Sequence, residues 1–229
     1  MAGLLLAGCS DLGTTSGGVV ALEVVRPEVT QLEIGDSLRM EGRALDAQGE
    51  VLPEADLWWS SPDTTVRVDS AGGWVVPILP GLSGRVIARS GSLVSPPTTF
   101  TFIARADTLV RAYPADTTLP AGVTTSGALA VRLESFDPAG PVSGRPLVLE
   151  VVEPTFADPG LRTVELSTGT LLDTLSTGSD GGPAPPVELR AVPGQTPPES
   201  AVVEFRSARH RGTEAVPGSG QRTIIRFTP

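Results

Sequence analysis

Short runs in which apolar and polar residues alternate are the most regular pattern along this chain. Residues 38–45 read Leu-Arg-Met-Glu-Gly-Arg-Ala-Leu, and a period of two predicts a strand with one face on a core and one in water. Val66-Arg67-Val68-Asp69 and Val86-Ile87-Ala88-Arg89 repeat the signature more briefly. It returns in residues 129–134, 187–192, 201–207 and 222–227. Between these runs lie turn-forming clusters: Asp46-Ala47-Gln48-Gly49, Ser61-Pro62-Asp63, Ser70-Ala71-Gly72-Gly73, Pro80-Gly81 and Pro217-Gly218-Ser219-Gly220. No window keeps a 3.6-residue apolar period. Strands spaced about 8 to 12 residues apart, with turns between them, predict an all-β sandwich architecture.

The length of 229 residues suits two domains of ordinary size, at about 100 to 150 residues each. The first is expected over residues 19–104. There Gly35-Asp36-Ser37-Leu38, Asp46-Ala47-Gln48-Gly49, Leu57-Trp58-Trp59-Ser60-Ser61-Pro62-Asp63, Val66-Arg67-Val68-Asp69 and the Gly-rich run 80–89 occur in order. Together they resemble the group 2 bacterial Ig-like domains of intimin-type adhesins. The resemblance implies a disulfide-free sandwich with Trp59 in its core. Alternation agrees, setting Leu57 and Trp59 on one face and Trp58 on the other.

The second domain is expected over residues 107–229. Asp137-Pro138-Ala139-Gly140 leading into Pro146-Leu147-Val148-Leu149-Glu150-Val151, with Gly178-Ser179-Asp180-Gly181-Gly182 further on, resembles the group 1, invasin-type Ig-like domain more loosely. Its Pro183-Ala184-Pro185-Pro186 and Thr196-Pro197-Pro198 inserts belong at sheet edges or in exposed connections, since proline cannot donate to a ladder. The expected fold class is therefore all-β, two consecutive Ig-like β-sandwiches without disulfides.

Ahead of the first domain stands Leu6-Ala7-Gly8-Cys9, which resembles the lipobox of bacterial lipoproteins. That resemblance implies cleavage before Cys9 and a diacylglycerol on its thiol. Residues 1–8 would then be a truncated signal segment and residues 9–18 the lipidated Cys and a flexible tether. A complete signal carries a basic start and an apolar stretch of about 7 to 15 residues, so the true start is expected upstream. Ser10 rather than Asp after the Cys favours the outer over the inner membrane by the enterobacterial pattern. The alternative for Cys9 is a small buried hydrophobe, the usual role of a free thiol.

Composition narrows the chemistry. All 17 basic residues are Arg, against 26 acidic residues and a net charge of -9, which excludes nucleic acid as an expected partner because phosphate contacts need clustered basic surface. The absence of Lys removes Schiff-base and P-loop chemistry. One Cys permits no internal disulfide. His210, the sole His, lies between Arg209 and Arg211 and is expected in a solvated loop, and Gly178-Ser179-Asp180-Gly181-Gly182 reads as a turn rather than a protease loop. No catalytic residues are expected.

Two weaker candidates complete the reading. Asp46, Asp63, Asp69 and Asp107 sit at expected loops and could offer oxygen ligands to calcium, the one ion considered; no other metal or cofactor is expected. Trp58 and Trp74 would bind a glycan by stacking if both were exposed on one face. The expectation is a non-enzymatic, lipid-anchored cell-envelope protein whose sandwiches bind or space. Its partners are the membrane through the anchor and an unidentified protein or glycan. The alternatives are a carbohydrate-binding module and, less favoured, a hydrolase using paired carboxylates.

Overall fold

A computed structural model describes residues 18–210 and 214–228. The chain divides into two compact units, Met1–Ile103 and Ala104–Pro229.

Ten strands make up the described part of the first unit: β1 (Ala21–Val25), β2 (Gln31–Glu33), β3 (Leu38–Arg39), β4 (Glu41–Leu45), β5 (Trp58–Ser60), β6 (Val66–Val68), β7 (Trp74–Pro77), β8 (Ser83–Ser90), β9 (Leu93–Val94) and β10 (Thr98–Ile103). The alternating run 38–45 forms both β3 and β4, interrupted at Met40, whose N–H donates to the Gly73 carbonyl at 2.9 Å. Because β3 pairs with β7, β4 with β1 and β7 with β6, one layer runs β1, β3/β4, β7, β6. The other runs β2, β10, β8, β5, with β9 hairpinned onto β8. Leu32, Met40, Trp59, Val66, Val75, Val86, Phe100 and Phe102, drawn from both layers, form the core between them.

Trp59 fixes the local packing. Its indole lies so close to Gly73 that an added Cβ would stand 2.9 Å from Nε1, and Gly73 has φ +70°, a conformation costly for any residue with a Cβ.

The second unit contains β11 (Thr108–Arg111), β12 (Asp116–Thr118), β13 (Val131–Phe136), β14 (Ala139–Pro141), β15 (Pro146–Glu153), β16 (Val164–Leu166), β17 (Leu172–Thr177), β18 (Pro183–Ala184), β19 (Leu189–Ala191), β20 (Ser200–Ser207) and β21 (Gln221–Arg226). One layer is β12-β21-β20-β15-β17-β18, and Pro183 indeed falls on an edge strand. The other combines β11-β13-β14 with β16-β19, joined through Leu129 N–H to the Val187 carbonyl (2.7 Å) and Ser126 N–H to the Leu189 carbonyl (2.8 Å). Leu133, Leu147, Leu149, Leu189, Phe205 and Ile225 are fully buried between them.

Both units share a topological device. In each, the first strand pairs antiparallel within one layer (β1 with β4, β11 with β13), and the next crosses to lie parallel to the unit's last strand (β2 with β10, β12 with β21). In the second unit the fully buried Thr223 donates its hydroxyl to the Pro114 carbonyl, and Arg226 pairs with Asp116 at 2.8 Å, fastening β12 to β21. A split first strand and antiparallel layers packed face to face are the Ig-like arrangement. The fold is thus all-β, two consecutive Ig-like sandwiches; a single Cys leaves each without a disulfide.

Candidate functional site

Cys9 and its tether up to residue 17 lie outside the described residues, as does Arg211 beside His210. His210 itself is half-buried in the turn after β20, and its neighbour Arg209 pairs with Glu214 at 3.1 Å.

Both candidate tryptophans are exposed, Trp58 at 52% and Trp74 at 46%. They do not share a face. Trp58 is on β5 and Trp74 on β7, strands of different layers, and their buried neighbours Trp59 and Val75 turn each of them outward from its own layer. The single two-tryptophan stacking platform is therefore not formed. Each indole instead stands opposite an arginine: Trp58 pairs in register with Arg89, and Trp74 with Arg39. Arg39 Nε donates to the Gly72 carbonyl at 3.3 Å, while Arg89 makes no ion pair among the described residues.

Each of the four aspartates serves its own surroundings. Asp46 Oδ1 accepts the N–H groups of Gln48 and Glu50, both at 2.9 Å, closing a turn. Asp69 Oδ2 accepts Gly72 N–H at 2.9 Å. Asp107 Oδ2 accepts Phe136 N–H at 2.8 Å while its Oδ1 pairs with Arg105 Nε at 3.0 Å. Asp63 forms a forked pair with Arg85: Oδ1 to Nη2 at 2.8 Å, and Oδ2 to Nε at 3.0 Å and to the backbone N–H at 2.8 Å. The side-chain bonds first, then the backbone bond, lower the Asp63 pKa from 3.8 to about 2. Among the described residues no three His, Cys, Asp or Glu side chains gather in a metal-binding group.

A more buried charged cluster went unmarked in the sequence. Glu165, in the middle of β16 and 5% exposed, accepts from Arg162 Nε at 2.9 Å and from Arg190 Nη2 at 2.7 Å. Burial pushes its pKa up, but the two guanidiniums more than offset that and hold it below the usual value. This is an ion triad that ties β16 to β19, with its carboxylate locked as an anion. The Gly178–Gly182 loop is likewise structural. Gly182 N–H donates to Asp180 Oδ1 at 3.0 Å and the Gly181 carbonyl receives Leu133 N–H at 2.9 Å. Gly181, at φ +77°, lies where an added Cβ would stand 2.5 Å from the Leu133 carbonyl oxygen.

No family model matches the chain, and no curated protein matches it. Among solved structures it is similar to FdeC, an Escherichia coli adhesin, with a TM-score of 0.49 and 14% identity over 91% of this chain and 64% of that one. It is also similar to the adhesin InvE of Yersinia pseudotuberculosis, with a TM-score of 0.40 and 14% identity over 95% of this chain and 62% of that one. Domains 4 and 5 of the S-layer protein SbsC give a TM-score of 0.33 and 16% identity, covering 92% and 99% of the two chains. The chain spans less than two thirds of either adhesin. At these distances the fold assignment stands on strand order and register.

Proposed function

We propose that this protein is a non-enzymatic, lipid-anchored module of the cell envelope, in which Cys9 carries the lipid and the two sandwiches present outer faces to a partner or hold one away from the membrane. The observation that carries this reading is the order of parts: an apolar run ending in the only Cys, a polar stretch, then two sandwiches each with its own core. Two or three acyl chains on one lipidated Cys suffice for a stable anchor, since each buried methylene contributes about 0.8 kcal/mol and one chain alone binds only marginally. Ser10 in the position after the Cys favours the outer over the inner membrane.

Metabolic labelling with a clickable palmitate analogue tests the anchor. The parent protein is expected to incorporate label and partition with membranes, and Cys9→Ser to do neither. A parent protein that stays unlabelled overturns the anchor and the localisation with it.

A further inference from the structure

The geometry points to a second site: the outer face of the β8–β5–β9 region, centred on Arg89, binds an acidic polysaccharide whose sugars carry carboxylates. This rests on reading the first unit as a binding module, and not on the anchor.

Three exposed side chains meet there in one cross-strand row. Trp58 on β5 stands in register with Arg89 on β8, and Arg89 in turn with Val94 on β9. Their inward neighbours Trp59 and Ala88 are in the core, so all three project to solvent, Trp58 at 52% and Val94 at 50% exposure. The next outward positions along β8 are the half-buried Ile87 and then Arg85, which Asp63 already holds. Arg89 is thus the uncommitted cation of its strand, flanked by apolar groups on both sides.

The second unit shows what an ordinary charged face on the matching layer looks like in this protein. There the register runs Glu150, Glu204, Arg222, with Arg222 on Glu204 at 2.8 Å and Arg206 on Glu150. Where that layer sets carboxylates beside its arginines, the first unit sets an indole and an isopropyl group. The missing carboxylate is the chemistry a ligand would bring. An exposed indole matches the C–H face of a pyranose ring, and a guanidinium presents a fork of donors to a carboxylate. Trp74 offers no equivalent, because Arg39 is committed to the Gly72 carbonyl and Asp69 donates its backbone N–H to the Trp74 carbonyl, bringing a carboxylate alongside.

Native affinity electrophoresis of the full chain through gels containing polygalacturonate, dextran or polyglutamate tests the site. Retardation is expected in polygalacturonate alone. Arg89→Ala and Trp58→Ala should each weaken it about thirtyfold, as when a central arginine or aromatic contact is lost, with Trp74→Ala unchanged. Trp58→Phe, which keeps a ring, should weaken it less, and melting curves confirm that each variant folds. Equal retardation of parent, Arg89→Ala and Trp58→Ala overturns the site while leaving a polysaccharide-binding module. Equal retardation in polyglutamate or dextran overturns the acidic-sugar chemistry. No retardation in any gel overturns the inference outright and leaves the anchor, read by labelling, unaffected.

Discussion

Asp63 shows how far one side chain reaches in this protein. A turn carboxylate by sequence, it is bound by both the side chain and the backbone N–H of Arg85, joining the loop before β6 to the start of β8. Its pKa is depressed to about 2 from 3.8. A depressed carboxylate contributes stability that is present above the unfolded value and is lost as pH falls through the folded one. Asp63→Asn is therefore expected to melt a few degrees below the parent at neutral pH, a modest effect because exposed ion pairs contribute little. The difference should close as pH drops from about 4 to about 2. A gap between the two melting temperatures that persists unchanged at pH 2 would show that Asp63 acts through something other than its charge. Glu165 contrasts with it, since a buried carboxylate between two guanidiniums cannot be removed without leaving both cations facing a site built for an anion.

At the scale of strands, Asp173 shields part of the β17 edge of the large layer in the second unit. Val151 N–H bonds to the Leu171 carbonyl and Thr177 N–H to the Arg145 carbonyl, so the odd-numbered residues of β17 address β15 and the even-numbered ones face away. Ser176 is covered by β18. Thr174 N–H would be open, but the Asp173 carboxylate accepts it at 2.8 Å, and a charge on an edge discourages pairing with another chain. Asp173→Thr should expose that edge, and its sedimentation coefficient is expected to rise more steeply with protein concentration than the parent's; parallel curves would assign the protection elsewhere. The sequence made some elements legible and hid others for a common reason. Alternation found β20 and β21 and set Trp59 inward and Trp58 outward, because an antiparallel strand with one wet face writes its period into the chain. The three-residue strands β2 and β12 carry no such period, their places being set by parallel pairing with the distant strands β10 and β21. β16 is buried at all three positions, so its central Glu165 reads as solvent-facing until Arg162 and Arg190 are placed around it. Arg89 was unmarked because its neighbours Trp58 and Val94 arrive by cross-strand register.

For the whole molecule, the two cores share no residue, and the sequence distributes its fluorophores unevenly between them. Trp58, Trp59 and Trp74 all fall within Met1–Ile103, while Tyr113 belongs to the second unit. Tryptophan emission therefore reports the first sandwich, and far-UV circular dichroism reports both. Leu149 is fully buried in the second core, and replacing such a leucine by alanine costs about 2 to 5 kcal/mol through lost burial and a residual cavity. Leu149→Ala is expected to lower the temperature of the dichroism transition belonging to the second unit and to leave the tryptophan transition where it stands. If both transitions fall together, the sandwiches unfold as one cooperative body, and the chain must be treated as a single rigid element rather than two. Independent transitions have the opposite consequence: a partner bound at the Trp58–Arg89 face would stabilise the first sandwich by mass action and leave the second unmoved. The same two signals then locate a ligand to one unit, with polygalacturonate raising the tryptophan transition alone.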